Sequence, residues 1–215
     1  MSLPIAVLIS GTGSNLKAIL QAIEAGRCDA RVAAVLSDRS KAKGLELARE
    51  RRIPTEVVRL KAYEDRGAWD AALAERVASF DPGLVVLAGF MKIVGPAMIA
   101  AFPSRIVNVH PALLPSFPGT DGPGDAVAAG VRVSGCTVHV VDAGVDTGPI
   151  LAQAAVPVLP GDDRDALHAR IQRLEHRLLP GVVHAVASGA LELSDPPRWR
   201  DAPGADAELL YPAPQ

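Results

Sequence analysis

The sequence predicts an α/β fold with a doubly wound, mostly parallel sheet and an antiparallel C-terminal extension. Short apolar runs alternate with segments whose apolar residues recur at helical spacing, a pattern typical of repeated strand–helix–strand units. The runs at 4–10, 31–37 and 84–88 are apolar almost throughout, as in strands that are covered on both faces. After residue 110, two strands follow each other with only a short loop between them, which favours an antiparallel pair.

The first half of the chain alternates between strands and helices. In its longest predicted helix, Trp69, Leu73 and Val77 share one face, which is therefore expected to point to the core. Parallel strands joined through helices imply right-handed crossover connections. The predicted strands cover 4–10, 31–37, 55–60, 84–88 and 106–109, and the predicted helices cover 15–25, 42–51 and 62–80.

The second half of the chain is predicted to end in a long helix. Asp162 and Asp163 offer capping oxygens for its first turn. Pro180 lies inside the helical segment and is expected to kink or break it. The predicted elements, in order, are a Pro- and Gly-rich loop at 111–124, a short helix ending near Gly130, strands at 134–141 and 150–158, and the helix from Arg164 to about Ala187.

No clear linker divides the chain, so residues 1–193 are interpreted as one domain. Residues 194–215 are rich in proline and show little periodicity. We expect this segment to be a tail that lies over the surface or has no fixed order.

Composition excludes several classes of protein. The 215 residues are 49% apolar and 21% charged, with a net charge of -2, so the basic excess typical of nucleic-acid and membrane-surface proteins is missing. Cys28 and Cys136 are far apart and form no CxxC motif, which favours a reducing compartment. The N-terminal residues lack the basic region of a signal peptide, and no apolar run is long enough for a membrane span. We therefore expect a cytoplasmic protein.

The turn after the first strand is a candidate phosphate site. Gly11 and Gly13 would let the backbone approach a ligand closely, and the helix that follows points its free N–H groups outward. Leu16 stands where a dinucleotide fingerprint has its third glycine, and the Gly-Lys-Ser/Thr of a P-loop is missing. The turn thus suggests one phosphate. The alternative is a tight turn in which Ser14 or Asn15 caps the helix.

Asn108 and His110 are candidate catalytic residues. They lie two positions apart at the carboxyl end of a predicted strand, so both side chains point to the same side. An amide and an imidazole side by side can donate hydrogen bonds to a developing oxyanion, and the imidazole can also move protons. The alternative is a strand-end pair that satisfies the backbone of the next loop.

Asp142 and Asp146 lie in a Gly-containing loop between the two C-terminal strands. An aspartate beside His110 would stabilise the imidazolium and raise its pKa. Taken alone, however, this loop is also what an ordinary hairpin turn looks like.

The segment 87–94 continues a central strand with apolar residues where polar ones are usual. Such a continuation can line a pocket for a flat heterocycle. The alternative is ordinary core packing.

Taken together, four stretches of sequence resemble the formyltetrahydrofolate-dependent formyltransferase family, and in particular its branch that acts on 5-phosphoribosylglycinamide. They are SGTGSNL, VVLAGFMKIV, NVHPALLPSFPG and TVHVVDAGVDTGPILAQ, and the resemblance covers about residues 4–193. It implies a Rossmann-like formyltransferase fold, with a nucleotide-binding half at about 1–100 and a catalytic and folate-binding half at about 101–193. The implied reaction moves the formyl group of 10-formyltetrahydrofolate to the substrate amine in de novo purine (IMP) biosynthesis.

The resemblance also implies residue roles and partners. His110 would transfer the proton, Asn108 would steady the oxyanion, and Asp146 would raise the pKa of His110. Both partners would be small molecules; no metal, nucleic acid or membrane is implied, and a homodimer is compatible with the sequence. The implied substrate-binding residues are Gly11, Thr12, Gly13, Ser14, Asn15 and Glu175, and the implied cofactor-binding residues are Arg66, Met91, Lys92, Ile93, Val94 and Asn108.

One segment departs from the family pattern. After Pro118 the family commonly has a histidine where this chain has Asp121, followed by Pro123 and Gly124, which puts the conformation of the loop in doubt. Among the other histidines, His139 is expected to pack in the core. The remaining ones, His168, His176 and His184, are expected to be surface or packing residues of the last helix.

Three alternative functions stay open at this point. The chain could be a hydrolase of 10-formyltetrahydrofolate, which usually carries a regulatory domain in front, or resemble a methionyl-tRNA formyltransferase, which carries a further C-terminal domain and a basic face. Neither extension fits in 215 residues, and a net charge of -2 disfavours tRNA. An inert folate- or phosphate-binding homologue is disfavoured because Asn108, His110 and Asp146 are all present.

Overall fold

The computed structural model describes residues 2–194, 196–200 and, for the backbone alone, 210–211. The chain divides into two compact units at Asn108. Each unit is built around its own group of strands.

The first unit contains a parallel sheet with the strand order β3-β2-β1-β4-β5. β1 pairs with β2 on one side and with β4 on the other, so the strand order reverses beside β1. In such sheets ligands bind beyond the carboxyl ends of the strands at the point of reversal. The strands are β1 (Leu3–Ile9), β2 (Ala30–Ser37), β3 (Thr55–Val57), β4 (Leu84–Leu87) and β5 (Ile106–His110), whose last two residues enter the second unit.

Helices of the first unit follow the apolar periodicity of the sequence. α3 begins one residue after Asp65, whose side chain accepts a hydrogen bond from the Ala68 amide, so it starts later than predicted. Trp69, Leu73 and Val77 are all buried on its inner face, as expected. The helices are α1 (Ser14–Glu24), α2 (Lys43–Glu50), α3 (Arg66–Ala78) and α4 (Pro96–Ala101), with a 3-10 turn at Leu60–Ala62.

The second unit contains an antiparallel pair, β6 and β7, with α6 packed on it. β6 alternates between two faces, so Cys136 and Val138 are separated from Thr137 and His139. The elements are α5 (Gly122–Ala128), β6 (Val133–Val140), β7 (Ile150–Pro157), α6 (Arg164–Ser188), β8 (Leu191–Glu192), β9 (Arg198–Trp199) and β10 (Leu210–Tyr211).

Pro180 does not break α6, so the expected break is wrong. The helix runs without interruption from Arg164 to Ser188 and ends at Gly189, which has a left-handed φ of 76°. Pro180 is buried with Leu179 and Val183. Proline removes one helical hydrogen bond, and the apolar contacts of this buried face offset that loss.

The tail contains more pairing than its periodicity predicted. β9 pairs with β8, β10 pairs with β7, and the Trp199 indole N–H donates to the Leu151 carbonyl at 3.2 Å. Residues 201–209 and 212–215, which belong to the predicted tail, lie outside the described residues.

The predicted fold class, a doubly wound and mostly parallel α/β fold with antiparallel C-terminal strands, is confirmed. The assignment of residues 1–193 to one domain stays a prediction. No helix in the described part of the chain has the length and apolar character needed to cross a membrane.

Candidate active site

β5 carries the Asn-x-His pair at its carboxyl end. Asn108 is half-buried and His110 is only 3% exposed. The two residues lie two positions apart on the same strand, so the predicted side-by-side arrangement follows from the alternation of a strand. His110 is the second residue of the second unit, which also contains its ring partners Phe117 and Asp146.

The imidazole of His110 lies between two hydrogen-bond acceptors. Its Nε2 is 2.8 Å from the Phe117 carbonyl oxygen, and its Nδ1 is 3.5 Å from the Asp146 carboxylate. A neutral imidazole has one donor, whereas the imidazolium has two and satisfies both acceptors. Phe117 has a φ of 56°, which is uncommon for a large side chain, and in this conformation its carbonyl faces the ring.

Asp146 is the charged centre of the site. It accepts a hydrogen bond from the Gly119 amide at 2.8 Å and lies 3.5 Å from both His110 and His139. Burial raises the pKa of Asp146, but the hydrogen bond from His139, the Gly119 amide and the charges of both histidines together hold that pKa below its usual value. The carboxylate therefore stays ionised at neutral pH.

His139 is the site residue that sequence reasoning missed. It is buried, as predicted for a core residue, but its Nε2 faces Asp146 while its Nδ1 is 2.9 Å from the Val140 carbonyl oxygen. A single carboxylate thus lies between two imidazoles. The signal that could have found it is position: β6 leads directly into the loop that carries Asp146.

The loop after His110 is held in place by β6 and β7. Thr137 Oγ1 donates to the Ala112 carbonyl at 2.7 Å and accepts from the Leu114 amide at 3.0 Å. Gln153 Nε2 donates to the Leu114 carbonyl at 2.8 Å. These buried polar contacts fix the path of the chain between His110 and Phe117.

Asp121, which departs from the family pattern, begins α5 as a helix cap. Its side chain accepts from the Gly124 amide at 3.3 Å and from Arg164 Nε at 2.8 Å. The hydrogen bond from Arg164 lowers the pKa of Asp121. The aspartate thus ties the start of α5 to the start of α6, and the loop has an ordered conformation without the histidine.

Changing Asp121 to histidine is expected to have a small effect, because Asp121 is 45% exposed and its hydrogen bonds go to Arg164 and the Gly124 amide. We expect kcat to change by less than about 10-fold and Tm to fall by no more than about 4 °C, as for loss of one surface ion pair and one helix cap in a chain of this size. Steady-state kinetics and a thermal melt measure both, with Asp121→Asn as the control that keeps a capping oxygen. A rate gain above 10-fold would show that the natural aspartate is costly.

The predicted phosphate turn, at 11–15, lies at the carboxyl end of β1. Gly13 caps α1 with a φ of 74° and without a side-chain hydrogen bond, so the alternative in which Ser14 or Asn15 caps the helix is wrong. The Gly44 amide donates to the Gly11 carbonyl at 3.2 Å, and a Cβ on Gly13 would lie 2.7 Å from the Gly44 Cα. The predicted turn therefore lies directly at the start of α1, the end of a helix that favours an anion.

The predicted cofactor segment, 91–94, follows β4 in the same unit. Arg66 Nη2 donates to the Ile93 carbonyl at 2.6 Å, so the structure brings these two predicted cofactor residues together. Met91 and Ile93 are 59% and 56% exposed, Lys92 is half-buried, and Val94 is buried. Ordinary core packing, the alternative for residues 87–94, does not hold for Met91 or Ile93. It holds for the buried residues of that range, which are Leu87, Ala88, Phe90 and Val94.

Glu175, a predicted substrate contact, lies on α6 and is only 4% exposed. It faces Cys136 on β6: burial raises the pKa of the Cys136 thiol, and the charge of Glu175 adds to the shift. Its role toward the substrate stays a prediction. Both cysteines are buried thiols, and burial raises the pKa of Cys28 to about 11.

A buried imidazole beside a half-buried carboxylate, at the end of a strand in a doubly wound α/β fold, is typical of an enzyme that moves a proton during group transfer. Residues 3–183 match the family model described as formyl transferase, and the chain belongs to this family. The predicted family and the predicted one-carbon group transfer are thereby confirmed.

Named relatives cover most of the chain. It is 53% identical over 182 residues to a phosphoribosylglycinamide formyltransferase of Mycobacterium tuberculosis, covering 85% of this chain and 84% of the relative. It is 40% identical to the Escherichia coli protein of the same name, over 92% of this chain and 93% of that one. The crystal structure of glycinamide ribonucleotide transformylase 1 from Symbiobacterium toebii superposes with a TM-score of 0.90 at 49% identity, covering 93% and 95% of the two chains.

Proposed function

We propose that this chain transfers the formyl group of 10-formyltetrahydrofolate to the amine of 5-phosphoribosylglycinamide, a step of purine (IMP) biosynthesis. The observation that carries the proposal is the contact between His110 and Asp146. The ring of His110 is buried, two residues after Asn108 on β5, and its Nδ1 lies 3.5 Å from the half-buried carboxylate of Asp146. The substrate is inferred from the names of the relatives, which are phosphoribosylglycinamide formyltransferases, and the side chains of the site suit the transfer of a formyl group.

Negative charge develops on the formyl oxygen when the amine attacks the formyl carbon. In the proposed mechanism, the Asn108 amide and the Nε2–H of the protonated His110 ring donate hydrogen bonds to this oxygen in the tetrahedral intermediate. The Nε2–H gives up its hydrogen bond to the Phe117 carbonyl to do so, while Nδ1–H stays with Asp146. Asp146 stabilises the positive ring, because its ionised carboxylate lies 3.5 Å from Nδ1 of a ring that is itself buried.

Completing the transfer moves one proton. The attacking nitrogen must lose a proton, and N10 of the folate must gain one as its bond to the formyl carbon breaks. His110 serves this transfer, directly or through one water, and Asp146 keeps the ring in the orientation the transfer needs. The mechanism uses no metal ion.

Binding is assigned mainly to two segments of the first unit, the turn at 11–15 and the segment 91–94, with Glu175 of the second unit as a further contact. The turn Gly11, Thr12, Gly13, Ser14 and Asn15 holds the phosphate of the acceptor through backbone N–H groups at the start of α1. The exposed apolar residues of the segment 91–94 contact the pterin, with Arg66 and Asn108 as polar contacts to the cofactor and Glu175 as a contact to the acceptor.

We place the reaction in the cytoplasm, with two small molecules as its partners. The unbridged thiols of Cys28 and Cys136 agree with a reducing compartment. His110, His139 and Asp146 come from one chain, so the cluster itself is complete without a second copy.

One assay tests the proposal. The protein is mixed with 10-formyltetrahydrofolate, with and without 5-phosphoribosylglycinamide, and the absorbance of the folate is followed while the formylated product is identified by mass. We expect turnover that depends on the nucleotide. Turnover without it would indicate a hydrolase, and no turnover with measurable folate binding would indicate an inert binder; either result overturns the proposal.

A further inference from the structure

The segment Gly89–Gly95 lies between β4 and α4 and has no strand or helix of its own. Its position therefore depends on individual hydrogen bonds. Arg66 donates to the Ile93 carbonyl at 2.6 Å, and Asp70 accepts from the Gly95 amide at 2.6 Å. Both of these anchors come from α3 and hold the distal part of the segment.

Ser10 holds the proximal part. Its hydroxyl accepts a hydrogen bond from the Met91 amide at 2.8 Å and donates to Asp38 Oδ1 at 2.6 Å. Its own amide also donates to the Gly89 carbonyl at 3.1 Å. Ser10 and Asp38 are both buried, and they lie at the carboxyl ends of β1 and β2.

The chemistry of Ser10 and Asp38 fixes which group donates and which accepts in each hydrogen bond. An ionised carboxylate can only accept, so the Ser10 hydroxyl donates its hydrogen bond to Asp38, and its oxygen is left to accept from the Met91 amide. A hydrogen bond to a charged group is stronger than one between neutral groups, so the hydroxyl has one preferred orientation. Asp38 thus orients Ser10, and Ser10 positions Met91.

We propose that Ser10 and Asp38 are positioning residues for the formyl donor, acting through the Met91 amide. The inference rests on the proposed function, in which the segment 91–94 contacts the folate. In this role neither the Ser10 nor the Asp38 side chain has to contact the folate. What they supply is a fixed backbone at Met91, so that Met91 and Ile93 present their exposed side chains without a cost in ordering.

The phosphate turn, although it follows Ser10 directly, has separate support. The Gly11 carbonyl accepts from the Gly44 amide, and Gly13 packs against the Gly44 backbone. Neither contact involves the Ser10 hydroxyl. Loss of that hydroxyl is therefore expected to affect the donor and to spare the acceptor.

Ser10→Ala removes the hydroxyl, so that the Met91 amide loses its acceptor and Asp38 loses the hydrogen bond that Ser10 donates to it. We expect KM for 10-formyltetrahydrofolate to rise about 10-fold, as for the loss of one buried charge-assisted hydrogen bond, with KM for the phosphorylated acceptor changed less than about twofold. Asp38→Ala is expected to act in the same direction, and Asp38→Asn, which keeps an acceptor oxygen, is expected to recover most of the affinity. Ser134→Ala is the matched control, since Ser134 is a buried strand serine whose hydroxyl has no hydrogen-bond partner among the described residues.

A second measurement does not depend on turnover. In Ser10→Ala, hydrogen exchange of the Met91 amide is expected to rise about 10-fold or more, while exchange of the Gly95 amide, which Asp70 holds, stays as in the parent protein. Thermal melts of all variants check folding. If the parent protein fails to transfer formyl groups, the proposed function is wrong whatever the exchange shows. If the parent is active, the positioning role is overturned by an unchanged donor KM in a folded Ser10→Ala, by equal changes in both KM values, or by an unchanged Met91 exchange rate.

Discussion

His110→Ala is expected to lower kcat by about 10²–10⁴-fold, the usual contribution of a general acid–base group. The variant loses both roles proposed for the ring, which are donation to the oxyanion and transfer of the proton. KM for either substrate is expected to change much less than kcat, because the ring acts on groups that become charged only in the transition state. Steady-state kinetics with each substrate varied in turn measures the two parameters separately.

The matched control for this variant is His184→Ala, which removes the same side chain from α6, outside the cluster around Asp146. It is expected to keep kcat within about twofold of the parent. Asp146 would lose one of its two imidazole neighbours in His110→Ala, so a thermal melt must accompany the kinetics. A folded His110→Ala with near-full kcat would remove His110 from the mechanism.

The predicted fold follows from patterns that are local in the sequence. Continuous apolar runs located β1, β2 and β4, and the spacing of Trp69, Leu73 and Val77 located the inner face of α3. Errors arose where tertiary contacts decide. Residues 55–60 were expected to form a strand, but β3 ends at Val57, because only 55–57 have a partner strand in β2. Pro180 lies in a continuous α6 because its face is buried.

The site was predictable only where it depends on a pattern that is local in the sequence. The pairing of Asn108 with His110 needs only the period of a strand. The approach of Asp146 to His110 depends on a loop in which Asp146 takes a φ of 56°, and no sequence pattern specifies that conformation. His139 was assigned to the core from its place on a predicted strand alone, since the contact with Asp146 appears only when β6 and the loop after it are both in place.

The tie between Asp121 and Arg164 was invisible for a further reason. The two residues are 43 positions apart, and each lies in a segment where charged residues are ordinary. From the sequence alone, the aspartate looks like the loss of the family's histidine. The structure shows that Asp121 caps α5 and forms an ion pair with Arg164.

Asp146→Asn is the second change from which we expect a large effect. Three donors converge on the carboxylate, namely the Gly119 amide and the rings of His110 and His139. Asparagine has one acceptor oxygen and an NH₂ group that is a donor only, so it cannot accept from all three, and it carries no charge. We expect kcat to fall about 10²-fold because His110 loses both its orientation and its counter-charge.

Stability is expected to fall as well, by about 2 kcal/mol in the free energy of unfolding at pH 7, as for breaking a largely buried hydrogen-bonded charge cluster. Urea unfolding followed by circular dichroism measures this difference. A double variant, His110→Ala with Asp146→Asn, measures how far the effects of the two substitutions on kcat depend on each other. If Asp146 acts through His110, the second substitution is expected to lower kcat by much less than about 10²-fold in a protein that already lacks the ring. Independent, additive losses would mean that Asp146 acts by another route.

The pH dependence of the unfolding free energy, compared between the parent protein and Asp146→Asn, distinguishes an effect of the lost charge from an effect of the changed side-chain shape. Since the pKa of Asp146 lies below its ordinary value of 3.8 in the folded protein, the carboxylate stabilises the fold fully above about pH 4 to 5, and this stability is lost as the pH falls through the lowered pKa. The gap in unfolding free energy between the parent and Asp146→Asn is therefore expected to shrink as the pH falls from about 5 toward 3. Other carboxylates with lowered pKa values, such as Asp162 beside Arg170, are present in both proteins and cancel in the difference. A gap that stays constant down to pH 3 would mean that the variant is destabilised by the shape of the amide, and the ionised carboxylate would then not be what holds His110 and His139 together.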